Sequence, residues 1–201
     1  MRAIGLDLAG SERRNTGFCL LDESMNSRTG ILFADAEIIS TTVEASPDVV
    51  SIDAPLFLPA GRVSLEHRGP PHLRECDRVL LRMGIRFFPI SLGPMRKLTQ
   101  RGMHLRSIFE GQGLKVIESF PGAIQDVLGM PRKNRGVETL RSALIRYGAK
   151  GDVKKKGITH DELDAITSAI VGKMYLEGDY TAIGDPAEGL MILPKLTGRG
   201  R

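Results

Sequence analysis

The sequence predicts an α/β protein, a mixed β-sheet with helices packed on it, and three observations lead there. Three apolar runs near the start, at 2–9, 15–21 (NTGFCLL) and 30–39 (GILFADAEII), are joined by connections too short for a crossover, so they read as an antiparallel meander. Two further apolar runs, 48–53 (DVVSID) and 114–118 (LKVIE), then alternate with helical stretches, the order of a sheet covered by helices. The strongest helix signal is THDELDAITSAIVGKMYLEG at 159–178, with Thr159 as N-cap and Glu162 at the capping-box position.

The remaining elements follow in order. ERRN with Gly10 and Gly17 supplies the first turn, and the stretch from Asn26 to Gly30 the second. Pro55 and Pro59 stop the fourth strand after Asp53. Residues 56–93 are rich in Pro, Gly and Arg and hold one helix, about 72–83, which reads as an insertion over one edge of the core. Pro94 opens a helix whose apolar residues recur at 95, 98, 105, 108 and 109. GAIQDVLG and GVETLRSALIRYG read as short helices, GAKGDVKKKGI as a basic linker and GLMILP as a closing strand. The expected organisation is one domain over 1–195 with a flexible tail at 196–201.

A chain of 201 residues with 41% hydrophobic and 26% charged residues excludes collagen-like and wholly disordered classes. No apolar run reaches the roughly 18 residues that span a bilayer, and Asp7 interrupts the first apolar stretch too early for a signal-peptide core, so a cytoplasmic protein is expected. Cys19 and Cys76 fit neither a disulfide framework nor a zinc site and read as free thiols. The net charge of +4 is uneven: Arg96, Lys97, Arg101 and Arg106 cluster, as do Arg132, Lys133 and Arg135, then Lys154, Lys155 and Lys156. Such patches suit a polyanion or are solvated faces.

Four acids stand where an element begins or ends: Asp7 in IGLDLAGS, Asp53 in VVSIDAP, Glu118 in KVIESFPG and Asp164 in THDELDAI. Carboxylates gathered near apolar strand ends are costly unless cations neutralise them. If the first, fourth and fifth strands lie side by side and parallel, Asp7, Asp53 and Glu118 converge on one sheet edge, where ligands gather in open α/β folds. Asp161 and Asp164 share one face of the last helix. Together they form a set of hard oxygen donors of the kind that binds Mg²⁺ or Mn²⁺. Asp161 is also an ordinary first-turn acid.

The order of elements and these acids resemble the RNase H-like superfamily, including Holliday-junction resolvases. More narrowly, GLDLAGS, SIDAPL, RECDRVLLRMGI, VIESFPGAIQDVLGMPRK and HDELDAITSA resemble the family of predicted RNase H-like nucleases called domain of unknown function 429. The resemblance implies a five-stranded sheet of order 3-2-1-4-5 with strand 2 antiparallel and a helical insertion between strands 4 and 5. It implies an acidic cluster of Asp7, Asp53, Glu118, Asp161 and Asp164, with Arg74, Asp77, Arg78 and Lys133 near it. Glu118 has no counterpart in the resolvase pattern.

The expected function is a metal-dependent nuclease or phosphodiesterase acting on DNA or RNA through two divalent ions. Asp7, Asp53, Glu118 and Asp164 are the expected metal ligands, and His160 would assist proton transfer. Arg74, Arg78, Arg96, Lys97 and Lys133 would hold phosphates. Two other readings stand beside it. One is a non-catalytic nucleic-acid-binding module; the other is an actin-like phosphotransferase, whose fold begins with a strand ending in Asp-x-Gly, where this chain has Asp7-Leu8-Ala9-Gly10.

Overall fold

The computed structural model describes residues 1–196 except Arg68, Lys133 and Asn134, so the expected tail lies outside it apart from Leu196. The strands are β1 (Arg2–Asp7), β2 (Thr16–Asp22), β3 (Asn26–Leu32), β4 (Val49–Asp53), β5 (Val116–Ser119), β6 (Lys150–Gly151), β7 (Tyr180–Asp185) and β8 (Gly189–Pro194). The helices are α1 (Asp35–Glu44), α2 (Glu75–Arg82), α3 (Gly93–Gly111), α4 (Pro121–Val127), α5 (Val137–Tyr147) and α6 (His160–Glu177).

Among the described residues the strands make one eight-stranded sheet in the order β6-β3-β2-β1-β4-β5-β8-β7. The sheet is therefore wider than the five strands expected. The first three strands form the antiparallel meander, and β1, β4 and β5 lie side by side and parallel. Beyond them β8 pairs parallel with β5, β7 returns antiparallel beside β8, and the two-residue β6 extends the opposite edge next to β3.

The third strand needs correction. It runs over 26–32 instead of the expected 30–39, and residues 35–44 are helix. The turn before it falls at Asp22–Met25, where the Asp22 carboxylate accepts from the amides of Ser24 and Asn26 and Met25 takes a left-handed φ of 64°. Asp35 and Glu37 in the first turn of α1 favour its N-terminus, and Ile38 and Thr42, four apart, supply its buried face. Alternation in GILFADAEII thus ends at Leu32.

The sheet separates two apolar layers. Ile4, Leu6, Val50 and Ile52 pack with Ile38 of α1 and with Leu105 and Phe109 of α3. Ala3, Cys19, Leu21 and Val49 face the other way, onto Ala165, Ile166 and Ala169 of α6. That second layer is tight because two glycines open it. A Cβ on Gly5 would lie 2.0 Å from the Ala165 carbonyl oxygen, and one on Gly17 would lie 2.0 Å from that of Asp161. The backbone of α6 therefore rests directly on β1 and β2, with Ala165 and Ala169 completing the close approach.

The N-terminus of α6 is locked as expected. Thr159 Oγ1 accepts from the Glu162 amide, while Glu162 accepts from the Thr159 amide at 3.0 Å. Lys155 pairs with the same buried carboxylate, and Thr29 of β3 donates to it at 2.9 Å. The basic linker is thus tied to the sheet and to α6. In the insertion, the buried Arg62 guanidinium donates to the carbonyls of Gly69 and Pro71, giving a segment without regular structure an internal anchor. No helix among the described residues is long and apolar enough to cross a membrane.

Candidate functional site

Asp7 and Asp53 are register partners, each the last residue of its strand. Alternate residues of a strand project to opposite faces, so Asp7 shares the face of Gly5, the one covered by α6. Asp53 pairs in turn with Ser119, whose hydroxyl donates to Ser168 of α6 at 3.2 Å, which places Asp53 on the same side. The contact of Gly17 with the Asp161 backbone sets the first turn of α6 over this edge, because Gly17 is the partner of Asp7 across the β1–β2 ladder. Asp164, one turn into α6, is only 3% exposed and accepts a hydrogen bond from Gln125 Nε2 of α4 at 2.7 Å. A carboxylate buried so deeply needs such a donor. Gln125 is itself buried, and Pro121 starts its helix immediately after β5.

Asp7, Asp53, Asp161, Asp164 and Glu118 all line one cleft of about 1270 Å³ at the carboxyl edge of the parallel strands. The β1–β2 turn, the segment after α2, and the first turns of α3 and α4 complete its walls.

Glu118 is set apart from the aspartates. It pairs with Ile52, not Asp53, and so projects to the opposite face of the sheet. Its Oε2 accepts from the Leu56 amide at 2.7 Å and from Arg74 Nη1 at 2.7 Å. Arg74 also donates through Nε and Nη2 to the two oxygens of Asp77. All three side chains are 3% exposed or less. Burial pushes the Glu118 carboxyl above its usual range against the opposing pull of Arg74. Burial also disfavours the Arg74 charge, but Glu118 and Asp77 hold the guanidinium firmly protonated. The network joins the loop after Asp53, the start of α2 and β5.

The other expected residues divide. His160 does not line the cleft, and its Nδ1 is buried without a hydrogen-bond partner among the described residues. Arg96 and Lys97 lie on the first turns of α3 but outside the cleft lining, and Arg78 pairs with Glu75 on the surface. Lys133 falls outside the described residues. In their place the cleft gathers Arg13, Arg14, Arg86 and Arg132. Arg132 pairs with Asp126, its Nε donating at 2.9 Å. Among the described residues, Arg13, Arg14 and Arg86 form no ion pair. Gln125 and Arg132 fall in the motif VIESFPGAIQDVLGMPRK and Arg13 and Arg14 in the first turn, but nothing local to those stretches marks them as site residues; the strand order brings them to the acids.

The aspartates are hard oxygen donors, right in kind for Mg²⁺ or Mn²⁺. They line the cleft without forming a closed set: among the described residues no three His, Cys, Asp or Glu side chains are grouped so as to hold a metal ion.

No protein-family model matches the chain, and no curated protein sequence does. Among solved structures, the chain is similar to T. thermophilus RuvC in complex with a Holliday junction substrate. The TM-score is 0.52 at 12% identity, over 89% of this chain and 96% of that one. A second Thermus thermophilus RuvC structure overlays at a TM-score of 0.49, again at 12% identity, with the same shares of both chains. At that identity the likeness speaks for the fold, and the fold of this chain is broadly RNase H-like: a mixed sheet flanked by helices, with the acids at its carboxyl edge.

Proposed function

We propose that the chain is a nuclease or related phosphodiesterase that hydrolyses nucleic-acid phosphodiester bonds with the help of Mg²⁺ or Mn²⁺. The observation that carries this reading is the pairing of Asp7 with Asp53 at the ends of adjacent parallel strands, beneath the turn of α6 that bears Asp164. The order of the five sequence motifs supports a place in the narrower family of predicted RNase H-like nucleases.

Asp7 and Asp53 are the residues to hold a cation, with Asp164 completing the set. When bound there, a divalent ion supplies Lewis acidity toward a phosphoryl oxygen and acidifies a water. The chain's own part is positional. Gln125 fixes the Asp164 carboxylate by a direct hydrogen bond. Glu118, anchored by Arg74, holds the Leu56 amide and with it the loop that follows Asp53. Arg13, Arg14 and Arg86 offer unneutralised charge to phosphates on either side of the scissile one.

The test is cleavage of a panel of single strands, duplexes, RNA–DNA hybrids and branched junctions in Mg²⁺ or Mn²⁺. Asp7→Asn is expected to abolish cleavage while leaving the circular dichroism spectrum unchanged; full activity in that variant sinks the proposal. Gln125→Ala is expected to lose about 10- to 100-fold, the usual cost of removing the partner that orients a ligand. A second reading, a nucleic-acid-binding module without turnover, is favoured by the absence of a closed metal-binding group among the described residues. Binding across the panel with no cleavage of any member selects it.

A further inference from the structure

The segment between α2 and α3 leaves one aromatic ring in solvent. Phe88 is 70% exposed, yet its surroundings are fixed. Phe87 before it packs against the core layer under α6, and Ile90 after it is 1% exposed. The Leu92 amide donates to the Pro89 carbonyl at 3.1 Å, closing the turn between these anchors and α3. Phe88 is therefore presented by a pinned turn. Single exposed apolar residues are common and by themselves mean little.

Two further observations separate this one from that background. First, the ring lines the same cleft as Asp7 and Asp53, and Arg86, two residues away, lines it too without an ion pair among the described residues. Second, of the three phenylalanines that line the cleft among the described residues, Phe88 is the exposed one and the other two are half-buried. Phe120 lies under Arg132, whose guanidinium carbon is 6.0 Å from the ring centre, and Phe87 is packed inward. Among the described residues Phe88 makes no aromatic or cationic contact.

We propose that Phe88 is a stacking platform for an unstacked nucleobase, with Arg86 holding the adjoining phosphate, so that the substrate class is a nucleic-acid strand with at least one unpaired base at the cleft. The inference rests on the reading that the cleft takes nucleic acid. Its chemistry is specific. A continuous duplex keeps its base faces stacked and offers a wall only backbone and groove edges, against which an exposed phenyl ring gains nothing. A single strand, loop or frayed end presents a free π-face, and stacking on an aromatic side chain tolerates any base. Cationic arginines beside the ring complement the phosphate that accompanies the base.

The experiment is binding of the full chain to an oligonucleotide carrying one 2-aminopurine, read by fluorescence quenching and by anisotropy. The strand is compared with its fully paired duplex, in EDTA and in Ca²⁺. The wild type is expected to bind the strand more tightly than the duplex and to quench the probe. Phe88→Ala is expected to weaken strand binding by about tenfold and lose the quenching, and Phe88→Trp to restore both. Because the ring is exposed, neither substitution threatens the fold. Equal affinity for strand and duplex, an Ala variant that quenches like the wild type, or no strand binding at all overturns the proposal. Quenching that depends on Phe88 in a protein that cleaves nothing removes the nuclease reading and leaves the platform. Cleavage lost in Asp7→Asn with Phe88→Ala indistinguishable from wild type does the reverse.

Discussion

At the scale of single residues, the buried trio of Arg74, Asp77 and Glu118 decides how the cleft floor is held. One guanidinium serves two carboxylates, all three side chains being 3% exposed or less. A buried pair contributes little net stability, but removing one partner strands the other charge at a cost of roughly 3–5 kcal/mol. Arg74→Ala strands two. It is expected to lose at least that much in urea unfolding, whereas Glu118→Gln, which leaves Arg74 its bonds to Asp77, is expected to lose clearly less. Equal and small losses would show that water reaches the trio. Placing Glu118 here was beyond sequence reasoning. Its identity as a strand-end acid was legible from KVIESFPG, but its face depends on whether it or Ser119 pairs with Asp53, a one-residue register question.

At the scale of elements, α6 is where sequence and structure agree most closely, and the cause is local. The capping box lies within four residues, so its bonds need no tertiary information. Burial pushes the Glu162 carboxyl up, but the bonds from Lys155, the Thr159 amide, Thr29 and the Thr159 hydroxyl outweigh it and hold it below its usual range. A folded-state value below the unfolded one means stability that is present above the unfolded pKa, about 4.3, and lost as pH falls through the folded value. Glu162→Gln is therefore expected to cost about 1 kcal/mol at neutral pH and to flatten the acid limb of the stability curve measured by thermal melts. An unchanged acid limb would locate that dependence elsewhere.

The seat of the same helix is a tertiary matter. Gly5→Ala sets a methyl 2.0 Å from a backbone oxygen that cannot rotate away. The expected result is a loss of about 1–3 kcal/mol or more and, under the proposed function, weaker cleavage as α6 lifts Asp164 from Asp7. Elements that went unread share a physical reason. The short β6 inside the basic linker has only two residues, and β7 has a glycine at 184 against the Cys76 side chain, so neither carries a periodic signal of its own. The boundary between β3 and α1 is ambiguous in the sequence because an apolar Ile38-Ile39 pair suits a strand as well as a helix.

At the scale of the whole molecule, the question is where a polyanion would run. The net charge of +4 is too small to choose a face, and the basic runs in the sequence lie in several places. The fold separates them. Lys154 and Lys156 are exposed beside β6, at the far edge of the sheet, and neither lines the cleft, whereas Arg13, Arg14 and Arg86 do. Each phosphate neutralised on a single strand contributes about −0.7 to the slope of log K against log salt. If the strand follows the cleft, replacing Arg13, Arg14 or Arg86 by Gln flattens that slope by about 0.7 each, and replacing Lys154 and Lys156 together leaves it unchanged. Titrations over a range of KCl measure both. The two sets of charges mark different paths, because the cleft opens at the carboxyl ends of β1, β4 and β5 while β6 lies three strands from β1. A slope that responds only to Lys154 and Lys156 would move the nucleic-acid path to the β6 edge and take the acids of the cleft out of its reach.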